Sequence, residues 1–279
     1  MRIRKWLALA AACMLLISAA GAEGEIRGYS EETGYVYIAM GEYPQTAAGE
    51  RLPILWRVLT ADGEKAYLLS EYILFARCMH ADLVEYREVL KGDFLQTDLC
   101  IYLNTVFAED AFTEAERQMM APFAGDTYIF LPSKEDLQNR EIGLGETPGN
   151  TVSKILENPG LRAWGTEWAI QNNGYDPAEY TNPKTRYEGS SRKPMPLAEL
   201  RLFVYNPNSR GGHSPYWTRN QSSSDARHAQ CVKASGKVGH LEVGRDNMGV
   251  RPGIYLDLEK VEIDGGSGTM EDPYTLVLK

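Results

Sequence analysis

One stretch restricts the fold of this chain more than any other. Residues 52–72 read LPILWRVLT, then ADGE, then KAYLLSEY. Apolar residues alternate on both sides of a short polar break, which is the period of a half-buried strand. Asp62-Gly63 supplies the positive φ that a tight reversal needs, so the segment is expected to form a β-hairpin. Trp56 falls on its apolar face and is expected in the core. The chain must therefore hold an antiparallel sheet, and everything else has to pack against it or extend it.

Other elements follow from local signals. Residues 35–40, YVYIAM, read as a strand before the turn GEYPQT. Residues 97–107, TDLCIYLNTVF, read as a helix with Leu99, Leu103 and Val106 on one face. Thr113 and Glu116 form a capping box that opens a second short helix, and Ser133 caps a third. Residues 127–133, TYIFLPS, hold a short strand. Residues 161–174, LRAWGTEWAIQNNG, read as a helix ending at Gly174, with Trp164 and Trp168 one turn apart on the same face. Residues 175–196 carry four prolines and no periodicity and read as a long surface loop. A hairpin around Ser235-Gly236 and a closing strand GVRPGIYLDL end the pattern, before a Gly-rich turn and a last short strand.

The N-terminus predicts the compartment. A basic MRIRK precedes an uncharged apolar run over residues 6–20, and Ala20-Gly21-Ala22 offers small residues for cleavage. Residues 1–22 are expected to be a secretory signal, leaving residues 23–279 as a single secreted domain with a loop-rich insertion around 141–215. No second run is long enough to span a membrane, so no membrane span is expected after cleavage. The whole chain carries a formal charge of −9, and losing Arg2, Arg4 and Lys5 makes the remainder more acidic. Such a chain has no general affinity for nucleic acid phosphates. Three cysteines remain: Cys78, Cys100 and Cys231. The odd count leaves at least one free or joined to another chain. A Cys78–Cys100 bridge and a helix-core role for Cys100 both stay open.

The order of these segments resembles a large bacterial family of exported proteins built on a domain of unknown function. The motifs that carry the resemblance are MGEYPQT, LPILWRVL, AYLLSEY, CIYLNTVF, AFTEAE, YIFLPS, TEWAIQNNG, YWTRN and GVRPGIYLDL, spread over residues 35–258. Met40 stands where the family usually has Phe, and YWTRN replaces its twin-Trp box. The family in turn looks like the C-type-lectin-like and formylglycine-generating-enzyme fold. That resemblance implies an α+β fold: a single C-type-lectin-like domain of short antiparallel sheets, flanking helices and long loops, with the chain ending near where it starts.

Chemistry tests the implied functions. The formylglycine-generating enzymes hold copper on paired cysteines near the final Gly-x-Arg strand. Here Pro252 follows Arg251 and Cys231 stands alone, so that reaction is not expected. Calcium-dependent lectins need clustered oxygens in set triplets. GRDN (residues 244–247) and EDP (residues 271–273) offer oxygens without those triplets. QSSSDARH puts Ser, Asp and His together, yet no nucleophile elbow is present. His80, His213, His228 and His240 are scattered and read as surface residues. His228 and His240 fall within reach of each other across the late hairpin. The sequence therefore assigns no catalytic residue, no metal ligand and no cofactor.

Binding is the remaining positive signal. Tyr216, Trp217, Arg219, Asn247 and Arg251 are the weak candidates for a ligand site. Tyr187 and Tyr205 also lie in or beside the irregular region. Arg251 reads more readily as a structural pin: its five donors suit several carbonyls or a carboxylate, and Pro252 holds its backbone extended. The expected function is a non-catalytic module that is secreted or at the cell surface, with a glycan or surface protein as partner. An enzyme whose site is assembled from distant loops, and a structural surface protein, are the alternatives.

Overall fold

Asp62 and Gly63 reverse the chain as the sequence requires. Gly63 takes φ +95°, and the Asp62 carboxylate accepts from the amides of Glu64 and Lys65. In a computed structural model that describes residues 24–145, 159–171 and 213–279, this turn joins two strands of the larger of two main sheets. In chain order the strands are β1 (Tyr37–Pro44), β2 (Arg51–Ala61), β3 (Lys65–Ser70), β4 (Phe75–Ala76), β5 (Met120–Ala121), β6 (Ile129–Phe130), β7 (Ala163–Trp164) and β8 (His213–Ser214). There follow β9 (Tyr216–Gln221), β10 (His228–Val232), β11 (Val238–Glu242), β12 (Gly249–Val250), β13 (Gly253–Asp257), β14 (Val261–Gly265) and β15 (Tyr274–Leu278).

The larger sheet runs β14-β15-β1-β2-β3-β13-β5, with β6 also paired to β13. All its pairings are antiparallel except β1 with β15, where Ile38 faces Tyr274 in parallel. The first and last strands of the described chain are therefore neighbours. The smaller sheet runs β11-β10-β9-β12-β4, and β7 pairs only with β8. The fold is α+β, as expected.

Short helices cover the sheets. They are α1 (Leu83–Glu88), α2 (Asp98–Tyr102), α3 (Ala108–Ala111), α4 (Glu114–Gln118), α5 (Lys134–Gln138) and α6 (Glu167–Gln171). The capping box of Thr113 and Glu116 is present, and Ser133 forms another with Asp136. Glu116 also reaches beyond its own helix, where its carboxylate accepts from the Gly41 amide at 2.7 Å. Gly41 sits in a bulge of β1 at φ +70°, and a Cβ there would lie 2.6 Å from the Phe112 ring. Only glycine fits the middle of MGEYP, and the bulge lets helix α4 grip the sheet.

Four expected elements differ. The first strand does not turn after Met40: β1 continues through the Gly41 bulge to Pro44, so GEYP is strand and the reversal begins only at Gln45. The 97–107 helix contains a π-turn at Leu103–Phe107. Its wider turn advances the buried stripe from Leu99 and Leu103 to Phe107, and leaves Val106 48% exposed. The 161–174 helix begins only at Glu167. Thr166 caps it through its hydroxyl on the Ala169 amide, and Trp164 lies before it on β7. Trp164 and Trp168 therefore share no helix face, and Gly174 lies outside the described residues. GVRPGIYLDL is not one strand. Gly249–Val250 belongs to the smaller sheet and Gly253–Asp257 to the larger, and Arg251-Pro252 is the step between them.

That step has a twin. The chain leaves β3 and crosses to β4 over residues 71–74. The two crossovers are laced by Ser70 N–H to Pro252 O at 2.9 Å and Leu74 N–H to Val250 O at 3.1 Å. A single buried core runs beneath both sheets. Trp56 lies in it, its indole N–H on the Met40 carbonyl at 2.8 Å, and so do Cys100 and Cys231. Cys78, Cys100 and Cys231 are all buried, and no disulfide joins Cys78 to Cys100. Burial pushes the Cys100 thiol up to about 11 and the Cys231 thiol up to about 12, so neither is a ready nucleophile.

Candidate functional site

The π-turn places Asn104 where it does the work of a peptide group. Its amide nitrogen donates to Cys100 O at 2.9 Å and Ile129 O at 2.8 Å. Its oxygen accepts from the amides of Tyr128 (2.7 Å) and Ile129 (2.9 Å). Helix and strand are thus joined through one side chain. The joint fixes the floor of a cleft of about 660 Å³, whose walls include Glu114, Arg117, Gln118, Asp126, Tyr128 and Lys260. Tyr128 is exposed at the rim. Such a volume is in the range of small-molecule sites.

Glu114, Arg117 and Lys260 in the cleft are already paired. Glu114 accepts from Arg117 at 2.6 Å and from Gln118 at 3.1 Å. These two donors hold its carboxyl below the usual glutamate range. Arg117 also donates to the Phe112 carbonyl, and Lys260 pairs with Asp257 at 2.9 Å. The result is a set of planar polar groups held in fixed orientation beside one aromatic face.

The residues singled out by sequence lie elsewhere. Tyr216 and Trp217 are fully buried. The Tyr216 hydroxyl donates to Leu161 O at 2.8 Å and the Trp217 indole to Arg77 O at 2.9 Å. Neither presents a face to solvent. Arg219 is half-buried: it donates to Leu131 O at 2.6 Å, meets Asp136 at 3.2 Å and lies over the Phe123 ring. Asn247 is partly exposed on the approach to β12. Tyr187 and Tyr205 lie outside the described residues. The exposed tryptophan is Trp164, at 48%, packed against the His213 ring with centres 4.3 Å apart.

Arg251 is 0% exposed. Its Nε donates to Ser70 O at 2.7 Å, across the two crossovers, and its guanidinium lies 5.5 Å from the Tyr216 ring centre. Burial and the tie to the other crossover suit a pin. The expected grip on several carbonyls or a carboxylate is absent: Nη1 and Nη2 are buried without a hydrogen-bond partner.

The other candidate clusters resolve into structure. His228 and His240 do meet, with ring centres 5.1 Å apart. Ser224 contacts His240 Nε2 at 3.1 Å, but Asp225 lies on His228 Nδ1 at 3.2 Å and is forked by Arg227. Serine and acid address different imidazoles, so no relay is formed. Asp246 of GRDN is buried. Among the described residues no three His, Cys, Asp or Glu side chains are grouped to hold a metal, and no helix is long and apolar enough to cross a membrane. His80 is not a surface residue. It is 4% exposed, with Nδ1 facing both the amide and the carboxylate of Asp98, and Nε2 3.5 Å from Glu85.

Sequence reasoning missed the cleft. Its one local signal was Asn104, a polar residue inside an apolar helical run. Tyr128 and Gln118 carry no pattern that marks them. Compared with models of known families, with curated proteins and with solved structures, the chain matches none.

Proposed function

We propose that the chain is an exported, non-catalytic binding module of C-type-lectin-like architecture that takes a glycan in the cleft beside Asn104. It fits the bacterial family that its motif order resembles. The parallel pairing of β1 with β15 supports the architecture, since it brings the two ends of the domain together. The observation that carries the binding role is the cleft itself. Hydroxyl-rich ligands need fixed planar donors and acceptors, which Arg117, Gln118 and Glu114 supply, and an aromatic face, which Tyr128 supplies.

A glycan array with the secreted protein, Tyr128→Ala and Gln118→Ala tests the reading. Each variant should lose at least about tenfold in affinity for whatever glycan the wild type retains, about 1.4 kcal/mol. Retention equal to wild type in both variants removes the cleft from consideration. Retention lost on Trp164→Ala instead would move the site to the β7–β8 ribbon.

A further inference from the structure

The guanidinium of Arg251 is a buried cation with no counter-charge in contact among the described residues. Its single hydrogen bond, from Nε to the Ser70 carbonyl, leaves both terminal nitrogens unsatisfied. The nearby acid that would serve is already taken: Glu71 gives one oxygen to Arg57 Nε at 2.7 Å and the other to Nη2 at 2.6 Å. Tyr216 is the other neighbour, with its ring centre 5.5 Å away and its hydroxyl interacting with the guanidinium, but it is neutral and supplies no counter-charge. A lysine in this place would shed its proton. An arginine does not, so its charge persists however dry the corner is. A trapped water would answer the N–H groups but not the charge.

We propose that Arg251 is the receptor for one small monovalent anion, a halide or a single carboxylate group, held by Nη1 and Nη2 at the corner where the chain crosses between the two sheets. One charge is uncompensated, which sets the valence. Two adjacent donors on a planar fork suit a halide between them or a carboxylate alongside them. Neither nitrogen touches solvent, so the occupant is compact and enters when the corner opens. Once seated, it adds its own bonds to the lacing between residues 70–74 and 250–252 and closes both crossovers. This site is separate from the cleft and does not depend on the glycan reading.

Thermal denaturation at constant ionic strength tests the proposal, exchanging bulky methanesulfonate for chloride in one arm and for formate in another. The wild type should gain about 3–6 °C once the anion reaches tenfold over its Kd, and the gain should keep rising with the logarithm of its concentration. Arg251→Met, which keeps the stem and removes the fork, should not respond. A rise with formate alone identifies a carboxylate as the natural occupant, and a rise with chloride alone a halide. Equal responses in wild type and variant, or no response in the wild type, overturn the proposal. Wild-type crystals grown in bromide and in formate give an independent check if the variant does not fold. Absence of an anion beside Nη1 and Nη2 in both refutes it.

Discussion

Arg57, partly buried, and Arg251, fully buried, are both held against the β-sheet core, and they are handled in opposite ways. Arg57 lies over the Tyr35 ring at 4.6 Å and is forked by both oxygens of Glu71, with each side chain of the pair only 12% exposed. The local structure supplies its whole counter-charge. Arg251 has an aromatic ring too, and one carbonyl, but no acid among the described residues. The contrast separates two uses of a buried guanidinium. Around Arg57 it is a closed joint inside one sheet. Around Arg251 it bridges two sheets with its terminal donors idle, and those idle donors are what a ligand can use. Tyr37 feels the closed joint as well: burial, and next the Glu71 charge, push its hydroxyl up to about 12.

Breaking the closed joint should have the largest effect. Glu71→Ala strands Arg57 in a dry place, and a cost of about 3–5 kcal/mol is expected, near 10 °C in Tm. Chemical denaturation measures it, and an Ala variant as stable as wild type would show that Arg57 finds another partner. Replacing the pair together by Met and Leu should recover most of the loss, since well-packed apolar groups escape desolvation. No such rescue exists for Arg251 if its counter-charge comes from solution.

A smaller loss is expected at Asn104, a joint that uses neutral groups. Asn104→Ala removes four hydrogen bonds and leaves the Ile129 amide and carbonyl poorly served, costing about 2–3 kcal/mol. Hydrogen exchange at Tyr128 and Ile129 should quicken in the same variant. Unchanged protection there would mean that the cleft floor does not rest on Asn104.

The smallest effect concerns His80, whose counter-charges sit at the surface. Burial acts to lower its pKa, but contacts with Asp98 and then Glu85 outweigh it, and the net shift is upward from 6.5. The imidazolium therefore stabilises the fold fully below about pH 6.5, and that contribution fades as pH rises through the raised folded value. Urea midpoints between pH 5.5 and 8.5 should fall for the wild type relative to His80→Gln. A relative rise over that interval would reverse the assignment.

Local chemistry made much of the fold legible. Gly63 and Gly236 take the positive φ that their hairpins imply, at +95° and +87°. Thr113 and Ser133 cap the helices they announce. Trp56 is core, as its place in an alternating strand requires. Each of these depends on neighbours within a few residues. The departures all come from distant contacts. The π-turn shifts Phe107 inward for Val106, and Asn104 within it bonds to Ile129. Tyr216 and Trp217 look like docking aromatics until β9 is flanked by β10 and β12.

The sequence by itself determined the hairpins, the caps, the acidic balance and the mixed α+β character, because turn chemistry and hydrophobic period act over short spans. Only the tertiary structure decided that GVRPGIYLDL divides between two sheets. A run of apolar residues around an Arg-Pro pair reads as one strand until Ser70 and Leu74, far earlier in the chain, claim Pro252 and Val250 as partners. Which of the described side chains meet Arg251 was decided there as well, since charge compensation depends on which groups arrive at the same corner. No local pattern in the sequence encodes that meeting.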